Sequence, residues 1–535
     1  RQRQMCIRDR YSICIRQAVT MTISFQTQGG HTYGTLCTVT RVGQKVIKTY
    51  GESLGRVVDK ERLVFYSRSR GLFQYDPETG SYLPAPPDVE MPKRKSRLKV
   101  PAQLVSFVFG DVYLLDRFMD KLGLYPVLES AYKDRLDALK AMVCFYLVST
   151  LSNCYAGQWL ERSIAHRLFP QAHLSSSQVS DLLKYLGDPS RQQVFFLNYL
   201  QWFVDSHATD KLGHILIDST GLPNSIHFSL TAISNHNGDI NNEVRLIYVV
   251  QQTTGLPIYM RCVPGNIIDI NTLKRTILEL KQMGVDTNFA ITDAGYLSEE
   301  NVNTFYEEQV SFLARLQPNR RLFKSIVKEH LADTKENGVL VKQNNRLVRI
   351  KKVSCQLNEK IGKNGKVIEP GHSAYAYLCI DLQRSALEQL SLIEKVAEGS
   401  LSTESYESKI EKAGIFMLVS KRSIAPSKVL EIYYTRQEIE QVFDLGKNYA
   451  GMLPLSVQTE ETFRGHMVLT FIATIVAKLL SDRLKETKYP IQPTLANLAT
   501  QSCSEIKGCL ITSEPNKVTR LAYKAAGVEY PVCIE

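Results

Sequence analysis

The sequence predicts an α/β protein: a mixed β-sheet crossed by helices and interrupted by a β-rich insertion, preceded by a small β-rich piece and a helical domain. Three observations carry that expectation. Short runs rich in β-branched residues recur between 214 and 316 and return at 414–421. Runs with the 3.6-residue period of a buried helix fill 103–205 and alternate with strands from 271 onward. Strand-like alternation with turn chemistry occupies 32–87. With 535 residues, about two to four domains can each have a core.

Residues 1–20, RQRQMCIRDRYSICIRQAVT, read as a non-native leader resembling translated adapter sequence, with Met21 as the start; the alternative is a basic arm on DNA. Residues 21–100 form the β-rich N-terminal region, with a turn at Gly43-Gln44 and a basic linker from Lys93 to Lys99. That linker is a solvated connector or a phosphate-contacting arm. Residues 101–210 read as helical, with Ser175 capping a helix that stops at Gly187. The segments around 158–187 suit a helix-turn-helix on DNA ends or a bundle for dimerisation.

Residues 211–317 change character. HILIDST (214–220), VRLIYVVQQ (244–252) and GLPIYMRCVPG (255–265) read as three antiparallel strands. Asn271 opens a helix, FAIT ends at Asp293, Ser298 caps a second helix, and SFLARL (311–316) is another strand. This order is that of an RNase H-like mixed-sheet core. Residues 318–412 read as a mostly β insertion, with strands at 346–355 and 373–381, a turn at Asn364-Gly365, and basic residues from Arg320 to Lys352. The core resumes over 413–485 with strand 414–421 and an apolar helix at 463–486, and 486–535 reads as a helical tail.

Within the resumed core, VLEIYYTRQEIEQVFDLGK (429–447) reads as one helix. At about 100° per residue, Tyr433, Arg436, Glu440 and Lys447 fall within roughly 60° of one another. A carboxylate on that face suits a metal, two cations suit a phosphate, and a phenol supplies a hydrogen bond. The plain alternative is a solvated face with an i, i+4 ion pair. Two aspartates strengthen the first reading. Asp218 and Asp293 each follow a buried strand and precede a turn, so both sit at a sheet edge about 5 Å apart if their strands are neighbours. Either alone is more often a turn-former. With Glu440 they make three carboxylates, the donor set that two Mg²⁺ ions need for phosphodiester chemistry.

The spacing Y-x2-R-x3-E-x6-K, with the two upstream aspartates, resembles the YREK signature of DDE transposases of bacterial insertion sequences. The resemblance covers about 212–480. It implies Asp218, Asp293 and Glu440 as the catalytic, metal-binding triad, Mg²⁺ (Mn²⁺ in its place) as cofactor, and Tyr433, Arg436 and Lys447 on DNA phosphate. It implies cleavage of double-stranded DNA at transposon ends and transfer of the 3′ end into target DNA, by a homodimer or larger synaptic complex. The chain departs from relatives that stack an extruded base on a tryptophan in the insertion. Its two tryptophans, Trp159 and Trp202, lie elsewhere, leaving Tyr375, Tyr377 or Phe323 for that task.

Lesser candidates are Pro264-Gly265-Asn266 with Asp269, which resembles a loop near the active site or is an ordinary turn, together with His214, His227 and Tyr296. A net charge of +11 favours polyanionic partners. Scattered cysteines, eleven in all, oppose a disulfide framework or zinc site, and apolar runs too short for a bilayer oppose a membrane role. These features lead to the expectation of a cytoplasmic, nucleoid-associated protein. The rival readings are an RNase H-like structure-specific nuclease and a non-catalytic DNA-binding protein derived from a transposase.

Overall fold

A computed structural model describes residues 20–42, 45–90, 106–207, 212–234, 240–267, 272–362, 366–506 and 508–534. Most of the leader, the Gly43-Gln44 turn, the basic linker, Asp269, Asn271 and Asn364-Gly365 lie outside these residues. The chain divides into two units, 1–103 and 104–535. The first holds a six-stranded antiparallel meander from Thr20–Gln28 to Ser81–Pro84, closed over Leu54, Phe65, Phe73 and Tyr75.

The second unit is built on one ten-stranded sheet. Its labelled strands are β1 (His214–Pro223), β2 (Asn241–Gln251), β3 (Pro257–Pro264), β4 (Phe289–Thr292), β5 (Ser311–Leu316), β6 (Val339–Gln343), β7 (Arg346–Leu357), β8 (His372–Asp381) and β9 (Ile415–Ser420). They lie in the order β3-β2-β1-β4-β5-β9-β8-β7-β6, with the short strand Ala232–Ser234 beside β2. β1, β4 and β5 are mutually parallel, β2 runs antiparallel to β1, and β3 runs antiparallel to β2. The apolar, β-branched runs of β1, β2 and β4 are buried, as strands covered on both faces require.

The helices of this unit used below are α1 (Ser176–Leu186), α2 (Leu273–Gln282), α3 (Glu299–Glu307), α4 (Arg321–Asn337), α5 (Leu382–Ala397), α6 (Pro426–Tyr434), α7 (Gln437–Tyr449) and α8 (Glu460–Leu484). α2 and α3 carry the crossovers into β4 and β5. α8 is buried along most of its length and packs on α1 and α7. Gly465 permits this close approach. A Cβ there would stand 1.7 Å from the Leu183 carbonyl oxygen of α1.

Several expectations need correction. The helix over 429–447 is two helices. Thr435 and Arg436 form a tight turn whose amides bond three residues back, to Ile432 and Tyr433, and the Thr435 hydroxyl also bonds the Ile432 carbonyl at 2.7 Å. The insertion is not mostly β: α5 falls where a polar helix is expected from about Arg384 to Glu398, but α4 and the helix Thr403–Ile410 fill much of the rest. Its longer strands join the main sheet, since β8 pairs with β9, and Lys360–Ile361 with Val367–Glu369 make a separate two-stranded sheet. The tail contains strands Ser502–Ile506, Cys509–Thr512 and Cys533–Ile534, which pair in that order, with Ser502–Ile506 also pairing with Ser106–Val108. Such short strands carry too little alternation to be read. Cys509 and Cys533 are joined by a disulfide. The 158–187 segment is three short helices, and α1 carries the capping box of Ser175 and Gln178.

Candidate active site

Asp218 does not end its strand. β4 stops at Thr292, but β2 continues to pair β1 as far as Pro223. Asp218 therefore lies where one neighbouring strand has ended and the other has not. Ile217 and Thr292 are register partners on parallel strands, so the next residues, Asp218 and Asp293, stand side by side, about 5 Å apart. Asp293 leaves the sheet in extended conformation and opens a single 3₁₀ turn, Ala294–Tyr296.

α7 lies over this part of the sheet. Tyr248, the register partner of Asp218, stacks on Phe443 with ring centroids 5.3 Å apart. Buried Lys478 of α8 pairs with Glu438 at 2.7 Å and Asp482 at 3.2 Å, tying α7 to α8. At the start of α7, Arg436 donates from Nη1 to Asp218 Oδ2 at 2.7 Å and from Nη2 to Glu440 Oε1 at 2.6 Å. Near its end, Lys447 Nζ donates to Thr220 Oγ1 at 2.5 Å. One helix thus grips both ends of the segment that carries Asp218.

Asp293, Arg436, Glu440 and Tyr433 line one cleft of about 270 Å³. Burial works against the charge on Arg436, but Asp218 and Asp293 outweigh it and hold its pKa above the ordinary arginine value. Burial pushes the Tyr433 phenol up to about 12, so it stays neutral and can donate a hydrogen bond. Burial also holds the Lys447 ammonium below the usual lysine range, with Glu243 acting in the opposite sense. Two of the acids differ in access: Glu440 is 54% exposed and Asp218 17%.

The donors fit a hard divalent cation in kind, being carboxylate oxygens, and the cation between two of them is the Arg436 guanidinium. Among the described residues, no group of three or more His, Cys, Asp or Glu side chains stands close enough to hold a metal ion as placed.

Other candidates fall elsewhere. Tyr296 is fully buried and cannot reach DNA. His214 packs against Phe289 with ring planes tilted at 58°, and His227 sits in the loop after β1. Of the three substitutes for a tryptophan, Tyr377 and Phe323 are buried, and Tyr375 alone is partly accessible, with Lys352 over its ring. Pro264 ends β3, and Gly265 follows where the chain passes the Glu243 backbone closely.

Two groups went unread in the sequence. Glu243 and Arg245, at i and i+2 on β2, form a pair at 3.5 Å, and Arg245 also bonds the Ser219 hydroxyl at 3.2 Å, bracing the residue after Asp218. The signal was a charged pair opening an apolar strand. Arg315 also lines the cleft, and its signal was an arginine inside the apolar run SFLARL.

Residues 210–476 match the family model of the transposase DDE domain. Among solved structures, the chain is similar to one from a cryo-EM structure of the piggyBac transposase synaptic complex with hairpin DNA. That match has 12% identity, covers 73% of this chain and 70% of the other, and has a TM-score of 0.33. No curated protein matches the chain.

Proposed function

We propose, from a chain that carries a transposase DDE domain over residues 210–476, that it is the DNA transposase of a bacterial insertion sequence in the YREK branch. The observation that carries this reading is the convergence of the site on Arg436. Its guanidinium joins Asp218 to Glu440 and faces Asp293, so residues far apart in sequence meet at one sheet end. The strand order β3-β2-β1-β4-β5, with β1, β4 and β5 parallel, supports an RNase H-like core.

In this reading, the chain binds terminal inverted repeats, cuts the DNA and transfers the freed 3′ end into target DNA. Asp218, Asp293 and Glu440 would hold two Mg²⁺ ions, or Mn²⁺, whose chemistry there would be activation of the attacking hydroxyl and neutralisation of charge on the leaving oxygen. Arg436 exchanges its carboxylate partners for the DNA phosphate and orients it through two parallel donors. Lys447 adds a point charge at the far end of the helix, and Tyr433 donates its phenolic proton to a phosphate oxygen. Residues 101–210 bind the DNA ends or hold two copies together, in a homodimer or larger assembly.

Nicking of supercoiled plasmid in Mg²⁺ tests the proposal. Wild type is expected to nick, while Asp218→Asn, Asp293→Asn and Glu440→Gln bind DNA but do not cut it. Cleavage by any one of these variants removes that residue from the triad. Wild-type binding without nicking favours a non-catalytic descendant.

A further inference from the structure

The cleft that holds Asp293 and Glu440 is unusually rich in arginine. Arg315, Arg346 and Arg384 line it together with Arg436. Four guanidiniums face three acids there, Asp293, Asp381 and Glu440. Two of the four are already engaged. Arg436 bonds Asp218 and Glu440, and Arg384 donates from Nε to Glu388 at 2.6 Å.

Of the other two, Arg346 makes only a long ion pair with Asp381, at 3.6 Å, and Arg315 makes none among the described residues. Among the described residues, Arg315 has no carboxylate within ion-pair distance, and its guanidinium lies 5.7 Å from the centroid of the Phe416 ring. Arg346 comes within 3.6 Å of Asp381, too far for a hydrogen bond, while Asp381 Oδ1 accepts from the Arg384 amide at 2.9 Å and caps α5.

Register fixes where Arg315 stands. Thr292 pairs with Ala314 as it pairs with Ile217, so the next row across the three parallel strands reads Asp218, Asp293, Arg315. A partly buried guanidinium with open donors, one strand away from Asp293, calls for an anion. Arg346 reaches the same cleft from β7.

We propose that Arg315 and Arg346 form a two-sided clamp on a single backbone phosphate of the bound DNA strand, next to the bond that is cut. This rests on the reading of the chain as a DNA-cutting enzyme and adds a subsite to it. Guanidinium forks match a phosphate with paired donors, which a lysine cannot reproduce. The clamp also offsets the repulsion that Asp293 and Glu440 exert on the approaching strand.

The test measures binding of the full chain to a fluorescent DNA duplex as a function of KCl, without divalent cation. Arg315→Gln, Arg346→Gln and the double variant are compared with wild type. Because both residues serve one phosphate, the double variant is expected to lose about 0.9 from the slope of log affinity against log salt, scarcely more than either single variant. Its affinity falls by roughly ten- to a hundredfold. Arg315→Lys keeps the slope but binds more weakly. Arg346 begins its strand and its side chain is 56% exposed, so Arg346→Gln keeps the test open if Arg315→Gln misfolds.

Unchanged slopes in variants of a duplex-binding protein overturn the clamp alone. Additive slope losses also overturn it, since they place the arginines on separate phosphates. A wild-type chain that binds no duplex overturns both the clamp and the functional reading beneath it.

Discussion

At the residue scale, Arg436 organises the site. It is half-buried, and its two donors are matched to two carboxylates from elements 218 positions apart and one turn apart. Arg436→Gln leaves Asp218 with a broken ion pair at 17% exposure. The expected cost is about 1–3 kcal/mol of stability, read as a lower denaturation midpoint, together with loss of nicking. Lys447 behaves differently because burial already disfavours its charge. Lys447→Met keeps most of its volume and removes that burden, so the melting temperature is expected to hold or rise while nicking falls several-fold. A lower melting temperature would make Lys447 a structural residue.

Much of this was legible. The Arg436, Glu440 and Lys447 spacing is local to α7 and its cap, so helical geometry keeps these residues on one helix, while Tyr433 belongs to α6. Asp293 was legible as an acid after a buried strand, whereas Asp218 lies inside its strand, which continues to Pro223. Arg315 was not legible, because its meaning comes from register with β4, and pairing across strands is not written in any one run of sequence.

At the element scale, the break between α6 and α7 matters most. A continuous helix would carry Tyr433 on the same face as Glu440. The turn at Thr435-Arg436 instead leaves Tyr433 in α6, buried beside the cleft, and starts α7 at the residue that grips Asp218. A threonine hydroxyl competing for a carbonyl is a weak signal, so the sequence read through it.

α8 is the other decisive element, since it backs both α1 and α7. Gly465→Ala forces its Cβ against the Leu183 backbone, and a cost of roughly 1–3 kcal/mol is expected, measured by chemical denaturation. Also on α8, His466 is buried, with Nδ1 at 2.8 Å from the Tyr146 hydroxyl and Nε2 at 3.3 Å from the Met452 carbonyl. Burial lowers its pKa from 6.5 to about 4. The unfolded chain therefore binds more protons between those values, and stability falls as pH drops through that window. His466 accounts for about 3 kcal/mol of this loss. Melting temperatures from pH 7.5 to 4.5 should fall less steeply in His466→Gln; equal slopes would mean that the ring is protonated in the fold.

At the scale of the whole molecule, one sheet carries Asp218 and Asp293, and α6 and α7 bring the other site residues to it. The strands between Asp293 and Glu440 in sequence extend that sheet, so their arginines open onto the cleft. The mixed α/β character and the strand order around β1 were legible from apolar runs and crossovers. The continuity of the sheet through β9 and β8, and the short strands of the tail, were not, since they depend on which edges meet. Among the described residues, no helix is long and apolar enough to cross a membrane.

The most direct measurement is Mn²⁺ binding followed by electron paramagnetic resonance, on the full chain and on Asp218→Asn, Asp293→Asn and Glu440→Gln. The account predicts saturable binding by wild type that each substitution weakens at least tenfold, because the three carboxylates share their ions. Wild-type Mn²⁺ binding that survives all three substitutions unchanged would contradict it.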